Sequence, residues 1–283
     1  MVSNFTLAGL YIYPIKACRG YAVDRAMVTA RGLQDDRLLM IVDGDGHFLT
    51  QREYPQLALL APTLGDDLLT MRAPGMSALD LPLRTSGPAR PVVVWRDCCQ
   101  AVDQGDAAAT WLSDYLGTQA RLVHQHDSFP RPVDPRYRRR PEDETSFADG
   151  YPFLLISEAS LADLNQRLMA PLPMDRFRPN LVVQGCEPFA EDGWQQIRVG
   201  AVTFDLVKPC ARCIMTTQDQ LTGERGGPDP MPAMRKLRMS MDRRVPGVLF
   251  GWNAVPRATG RIRRDDAVSV LAKRERGWPI RAR

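Results

Sequence analysis

Apolar residues along this chain fall mostly into short runs that alternate with polar residues, which is the pattern of β-strands. The clearest runs cover residues 7–15, 194–199, 202–207, 248–253 and 267–271. Helical spacing occurs in two segments: residues 106–116, which we place behind an aspartate cap and before Gly117, and residues 158–168, after the N-cap Ser157. Many short strands and about two helices predict an all-β barrel or a β-dominated α+β fold.

A segment rich in proline and charge divides the chain. Residues 126–145 hold four prolines and many charged residues, so they cannot form a compact core. We therefore predict a β-rich module over residues 1–125, a crossing segment over residues 126–145, a second domain over residues 146–275 and a basic tail over residues 276–283. The crossing segment is either a solvated linker or an arginine-rich flap over an anionic ligand.

Composition and charge limit the class of protein. The chain is 44% hydrophobic and 25% charged, and its net charge is +4. It lacks a run of about 18 uncharged apolar residues, and residues 1–7 do not begin a secretion signal, so we expect a cytoplasmic protein without a membrane span. Arginines concentrate in residues 131–140 and 235–283, which suits an anionic ligand or an acidic partner better than a nucleic acid polymer.

Two turns beside strands carry groups that suit an anionic ligand. Lys16 and Arg19 follow the first apolar run, and Arg178, Pro179 and Asn180 precede the apolar residues 181–183. The turn formed by Arg178, Pro179 and Asn180 offers a guanidinium fork and an amide to a phosphate.

The six cysteines show no disulfide framework, so we expect reduced thiols. Cys210 and Cys213 flank Arg212 just after an apolar strand. Their spacing supports three interpretations: half of a zinc site, a dithiol redox pair, or one thiolate ligand of a larger metal cofactor beside a second cysteine that does not bind.

The surrounding residues favour some of these interpretations over others. A zinc site needs further ligands, and the nearest candidates, His124 and His126, lie far away in the sequence. A redox dithiol needs a helix after the pair, whereas residues 214–219 are β-branched and turn-like. A single thiolate on a soft transition metal agrees with an arginine neighbour that favours the ionised sulfur. A pair of buried, unreactive cysteines also agrees with the spacing.

Several motifs, taken in order and spacing, resemble the MOSC-domain family and, within it, the mitochondrial amidoxime-reducing components and their bacterial relatives. They lie at residues 10–20, 36–37, 151–165, 177–180, 210–219 and 222–223. The resemblance covers nearly the whole chain. It implies a family N-terminal β-barrel-like module over residues 1–125, ahead of a larger MOSC β-barrel domain over residues 146–275.

The resemblance also implies a site for the molybdenum cofactor, a pterin-dithiolene with a terminal phosphate. Cys213 matches the protein ligand to molybdenum, and Asp149 matches an acidic position near the metal, where we place a catalytic role. The residues that match positions gripping the pterin and its phosphate, or that neighbour them in the pocket, are Lys16, Arg37, Tyr151, Arg178, Asn180 and Arg212. Ala17 and the pair Gly150 and Tyr151 depart from the family, because relatives often have hydroxyl residues there.

These matches imply a molybdenum-dependent reductase of N-hydroxylated compounds: hydroxylamines, amidoximes and N-hydroxylated nucleobases. Because the chain stops at Arg283 without further cysteines, we expect its electrons to come from a separate flavodoxin-like or ferredoxin-like protein or a flavin reductase. The basic regions at residues 138–140 and 235–244 either dock that donor or are solvated surface. The alternative is a module that carries molybdopterin or sulfur without reductase turnover, and a third possibility is a zinc-stabilised β protein that binds acidic partners.

Overall fold

The computed structural model describes residues 5–281. The first half of this range contains the strands β1 Phe5–Ile12, β2 Tyr21–Ala22, β3 Arg25–Thr29, β4 Gly32–Leu33, β5 Leu39–Val42, β6 Ala61–Leu64, β7 Leu68–Arg72, β8 Leu79–Pro82, β9 Ala89–Val94, β10 Asp97–Asp103, β11 Arg121–Gln125, β12 Arg131–Pro132 and β13 Glu144–Thr145. The second half contains β14 Phe153–Ser157, β15 Leu181–Gln184, β16 Trp194–Val199, β17 Val202–Arg212, β18 Met239–Ser240, β19 Val248–Pro256, β20 Gly260–Arg263, β21 Ala267–Lys273 and β22 Ile280–Arg281. The α-helices are α1 Asp106–Leu116, α2 Glu158–Asn165 and α3 Met231–Arg238.

The larger body of the fold is a closed barrel. Seven strands form its ring in the order β14, β15, β1, β21, β16, β17 and β19, and β19 pairs back onto β14. Its interior holds buried apolar residues such as Leu7, Leu155, Phe204 and Trp252. The expected β-dominated α+β fold is confirmed, and the first strand of the chain is one of the strands of this barrel.

A smaller N-terminal module packs beside the barrel. It combines the sheet β5, β11, β10 and β9 with the hairpin sheet β6, β7 and β8, and α1 covers a core that includes Leu39, Leu69 and Leu112. Asp106 is the first residue of α1, and the preceding Gly105 makes no side-chain cap, so the expected aspartate cap is wrong. Gly117 ends the helix in the left-handed conformation, as its position predicts.

The helices after the crossing segment differ in part from the prediction. Ser157 caps α2 as expected, because its hydroxyl accepts a hydrogen bond from the backbone N–H of Ser160 at 3.1 Å. The helix ends at Asn165, so Leu168 lies outside it. The third helix, α3, was not predicted. Within residues 5–281, no helix is long and apolar enough to cross a membrane.

The crossing segment contributes to the buried structure. Arg131 is only 4% exposed, and its guanidinium forms an ion pair with Asp97 at 2.7 Å. It also donates hydrogen bonds to the carbonyl oxygens of Ser146, at 3.1 Å, and Ala148. At Arg131 the segment is therefore neither a solvated linker nor a flap, because the guanidinium points into the protein and holds the loop before β14.

Candidate functional site

A cavity of about 310 Å³ lies between the barrel and the N-terminal module. Its walls include Phe48, Arg52 and Trp95 from the module and Pro209 from strand β17 of the barrel. The structure brings all eight site residues predicted from the sequence to this cavity: Lys16, Arg37, Asp149, Tyr151, Arg178, Asn180, Arg212 and Cys213. Residues from five separate parts of the sequence thus meet at one place.

The strand β17 positions both cysteines. It continues to Arg212, so Cys210 lies within the strand instead of after it, and Cys213 follows its end. The strand passes through Pro209 because shifts in register beside Leu206 and Pro209 accommodate a residue that cannot donate to the ladder. Cys213 is exposed to the cavity, whereas Cys210 is half-buried.

Several cavity residues have unusual backbone conformations. Ala17, Arg37, Trp95 and Arg178 all have positive φ, between 48° and 66°. Non-glycine residues rarely adopt this region, and such residues cluster at functional sites in proteins. The Arg178 conformation ends the short 3-10 helix Met174–Phe177 and directs the side chain toward the cavity.

The charge of the cavity is strongly unbalanced. Among residues 5–281, seven cationic side chains line it, but only one carboxylate does, that of Asp149. Within residues 5–281, four of these cations have no carboxylate within 4.0 Å: Arg52, Arg178, Lys208 and Arg212. Burial lowers the pKa of Arg178 and also that of Lys208. Cations held together without counterions favour a multiply charged anionic ligand.

Two of the arginines stack on one buried tyrosine. The Arg37 and Arg178 guanidinium carbons lie 4.1 Å and 4.3 Å from the centre of the Tyr13 ring. Arg37 also forms an ion pair with Asp36 at 2.6 Å, and the Tyr13 hydroxyl donates to the carbonyl oxygen of Pro179 at 3.0 Å. The ring fixes the two guanidinium planes before any ligand arrives.

The Asn180 side chain forms hydrogen bonds with backbone atoms of the fold. Its amide oxygen accepts from the Leu154 N–H at 3.2 Å, and its amide nitrogen donates to the Tyr11 carbonyl oxygen at 3.2 Å. The predicted contact between this amide and a phosphate therefore remains a prediction.

A chain of polar contacts joins both modules at Cys213. Lys16 Nζ lies 2.6 Å from Asp149 Oδ1, and Trp95 Nε1 donates to the same oxygen at 3.1 Å. The Arg52 guanidinium lies 4.9 Å from the Trp95 ring centre, and its Nη2 donates to Cys213 Sγ at 3.1 Å. The cation that contacts Cys213 is thus Arg52 and not its sequence neighbour.

Burial and charge act against each other in the Lys16–Asp149 pair. Burial lowers the pKa of Lys16 even though Asp149 raises it. The surrounding cavity walls partly desolvate Asp149, which raises its pKa, but the charge and hydrogen bond of Lys16 and the hydrogen bond of Trp95 outweigh that and hold the pKa well below its usual range. The Asp149 side chain faces the open cavity and is 80% exposed, so solvent reaches an ionised carboxylate.

Arg212 contacts Cys210 and Phe177 instead of Cys213. Its Nη1 donates to Cys210 Sγ at 3.0 Å, and its Nη2 donates to the carbonyl oxygen of Phe177 at 2.8 Å. Cys210 therefore serves as the acceptor for a guanidinium that lines the cavity.

The geometry gives no support to a zinc site at the cysteine pair. In the described part of the chain, one group of three metal-ligating side chains has its ligand atoms within 4.8 Å of one another, and it consists of Asp43, Asp45 and His47. These residues lie in a turn where the Asp43 carboxylate accepts backbone N–H bonds from the other two. Cys210 and Cys213 belong to no such group.

Known families match both parts of the chain. A family described as the MOSC N-terminal beta barrel domain matches residues 4–119, and a family described as the MOSC domain matches residues 142–269. The human mitochondrial amidoxime-reducing component 1 is 36% identical over 281 residues, which cover 95% of this chain and 83% of the relative. The chain belongs to the amidoxime-reducing component family of MOSC-domain proteins.

A second relative in the amidoxime-reducing component family is the bovine mitochondrial amidoxime reducing component 2. It is 39% identical over 250 residues, which cover 83% of this chain and 72% of the relative. Both relatives are named as mitochondrial, so the cytoplasmic location expected for this MOSC-domain protein stays a prediction. Among solved structures, a solution structure of a Bordetella bronchiseptica protein is 28% identical over 32% of this chain, with a TM-score of 0.29.

Two residues of this MOSC-domain protein stand where the sequence departs from the family pattern. Ala17 has φ of 66° and lines the cavity with a methyl group in place of a hydroxyl. Tyr151 also lines the cavity, its ring lies 5.6 Å from Lys208 Nζ, and its buried hydroxyl has no hydrogen-bond partner within residues 5–281. An aromatic ring thus forms part of the cavity wall at this position.

Proposed function

We propose that this protein is a molybdenum-cofactor-dependent reductase of N-hydroxylated compounds, and that a separate redox protein supplies its electrons. The observation that carries this proposal is the cavity itself. An exposed cysteine thiol and seven cations share it with a single carboxylate. The names of the relatives, amidoxime-reducing components, supply the substrate class.

The residues present fit the proposed cofactor. A pterin-dithiolene with a phosphate is strongly anionic, and among the residues that the structure describes no carboxylate pairs with Arg178 or Lys208 to neutralise it. Arg37 and Arg178 would hold the phosphate end, Lys16 and Arg212 would add charge along the pterin, and Cys213 would bind the metal through its sulfur. Asn180 and Tyr151 complete the proposed pocket.

The reaction balances with two electrons and two protons: an N–OH group becomes N–H, and its oxygen leaves as water. When bound, the cofactor would supply the two-electron redox chemistry. Lys16 holds a proton at Nζ, and the lowered pKa of this ammonium makes it a stronger acid than an exposed lysine. Asp149 Oδ1 lies 2.6 Å from Lys16 Nζ and keeps that proton in place. Because the Asp149 side chain is open to solvent, water restores the proton after each turnover.

Replacing Cys213 by serine tests the proposal. The variant should lose the reduction of benzamidoxime with a chemically reduced donor, because the soft thiolate ligand is gone. The exposed Cys98, which lies outside the cavity, provides the matched control, and Cys98→Ser should keep full activity. Normal turnover by the Cys213→Ser protein would overturn the assignment.

The alternative function is a protein that carries molybdopterin or sulfur on Cys213 without reductase turnover. The same cationic cavity supports it, since cofactor binding does not require a substrate. Protein that is loaded with molybdenum but inactive with every reduced donor would favour this alternative.

The proposed electron donor is an acidic flavodoxin-like or ferredoxin-like protein or a flavin reductase. The Tyr137 hydroxyl donates to the carbonyl oxygen of Arg244 at 3.2 Å, so the two arginine-rich regions of the sequence meet. Lys208 Nζ lies 4.8 Å from the Tyr137 ring, which connects this surface to the cavity wall. A basic surface beside the redox site supports docking of an acidic donor.

Charge reversal at the exposed residues Arg139 and Arg243 tests the docking surface. The double glutamate variant should lose the salt dependence of electron transfer from the protein donor and keep its rate with a small chemical reductant. An unchanged salt dependence would exclude this surface.

A further inference from the structure

The turn between β9 and β10 carries a tryptophan in a conformation that normally requires glycine. Trp95 and Arg96 are the two residues of this hairpin turn, and Trp95 has φ of 57°. Glycine is usual at the first position of such a turn when φ is positive. Despite this constraint, a large ring stands at the tip, and it is 45% exposed.

Neighbouring side chains hold the Trp95 ring in a fixed position. The Phe48 ring meets it edge-on, with centroids 4.9 Å apart, and the Arg52 guanidinium lies over it. The indole N–H is committed to Asp149, and Arg52 in turn contacts the sulfur of Cys213. Trp95 lines the same cavity as the proposed metal ligand, Cys213.

We infer that Trp95 is a specificity-determining residue, which selects substrates whose N-hydroxylated group is attached to a flat conjugated ring. This inference rests on the proposed function and adds the substrate class. A rigid indole loses little entropy when a second ring packs on it, and aromatic pairs attract each other beyond the area they bury. An aliphatic substrate of the same chemistry gains little from this contact.

Benzamidoxime and acetamidoxime separate the two effects because they share the reacting group and differ only in the ring. Trp95→Gly removes the ring and places the favoured residue in the turn, so the fold should be retained. The ratio of kcat/KM for benzamidoxime to that for acetamidoxime should fall about three- to tenfold, mainly through KM. Trp95→Phe keeps a ring and should keep most of the ratio, although it loses the hydrogen bond to Asp149.

Arg96→Ala is the matched control, because Arg96 is an exposed residue of the same turn. It should leave both substrates unchanged. Calorimetry on the oxidised holoprotein without electron donor gives a second readout, since substrate then binds without turnover. Trp95→Gly should weaken benzamidoxime binding by a similar factor and leave acetamidoxime binding unaltered, with melting temperature and molybdenum content equal to wild type.

An equal loss for both amidoximes in Trp95→Gly would overturn the inference, because Trp95 would then act only through Asp149. A ratio as low in Trp95→Phe as in Trp95→Gly would overturn it as well. If the holoprotein reduces neither compound, the proposed function fails, and the calorimetric comparison still decides whether Trp95 selects flat rings.

Discussion

Replacing Arg131 by methionine tests whether a buried guanidinium fixes the loop that leads to Asp149. Arg131 donates to the carbonyl oxygens of Ser146 and Ala148 and is 4% exposed. A hydrogen bond to a charged group contributes about 1.5–3 kcal/mol, so losing both should lower the free energy of unfolding by roughly 3–6 kcal/mol. The ion pair with Asp97 adds little, because the Asp97 side chain is 49% exposed and exposed pairs contribute about 0–1 kcal/mol.

Thermal unfolding followed by circular dichroism measures the effect. For a chain of this size each kcal/mol corresponds to about 2 °C, so Arg131→Met should melt roughly 6–12 °C below wild type. Asp97→Asn is the matched control, since it removes the ion pair and keeps the carbonyl contacts, and it should melt within about 2 °C of wild type. If the two variants melt at the same temperature, the carbonyl contacts of Arg131 do not stabilise the fold.

Two further predictions concern binding and pH. Arg178→Gln should weaken cofactor binding roughly 10- to 100-fold, because a charge-assisted contact to phosphate contributes about 1.5–3 kcal/mol. Molybdenum content after expression at limiting cofactor measures this, with the exposed Arg167→Gln as control, and full loading would contradict it. Burial raises the pKa of Glu191, whose carboxylate is bound by Ser157 and Ser160 and by no cation within residues 5–281. The raised pKa stabilises the fold at low pH, and that stability is lost as the pH rises through it. In urea unfolding, Glu191→Gln should therefore gain stability relative to wild type as the pH rises above the ordinary glutamate pKa of about 4.3, and a constant difference would refute the reasoning.

The strands were predictable because alternation reports directly which residues face a core. The run at residues 194–199 matches β16 in full. Strand β17 extends five residues beyond its predicted end, to Arg212, because tertiary pairing with β19 carries it through Pro209. Helix α3 escaped prediction because it is short and polar and begins next to prolines, and it buries only Met234 and Arg238.

The family motifs led to the cavity residues, but not to Arg52 and Trp95. Their contacts join residues 161 and 54 positions apart, to Cys213 and Asp149, and alternation gives no information about which turn faces a distant strand. Arg131 was missed for a related reason: composition places a proline-rich, charged segment on the surface, and only the fold shows that carbonyl oxygens satisfy a buried guanidinium.

Metal and pterin analysis of the protein, purified from a host that makes the molybdenum cofactor, tests the central claim most directly. Near-stoichiometric molybdenum and pterin, both lowered in Arg178→Gln protein and kept in Cys98→Ser protein, is the predicted result. Protein that contains neither molybdenum nor pterin, or that holds stoichiometric zinc in their place, would contradict the account.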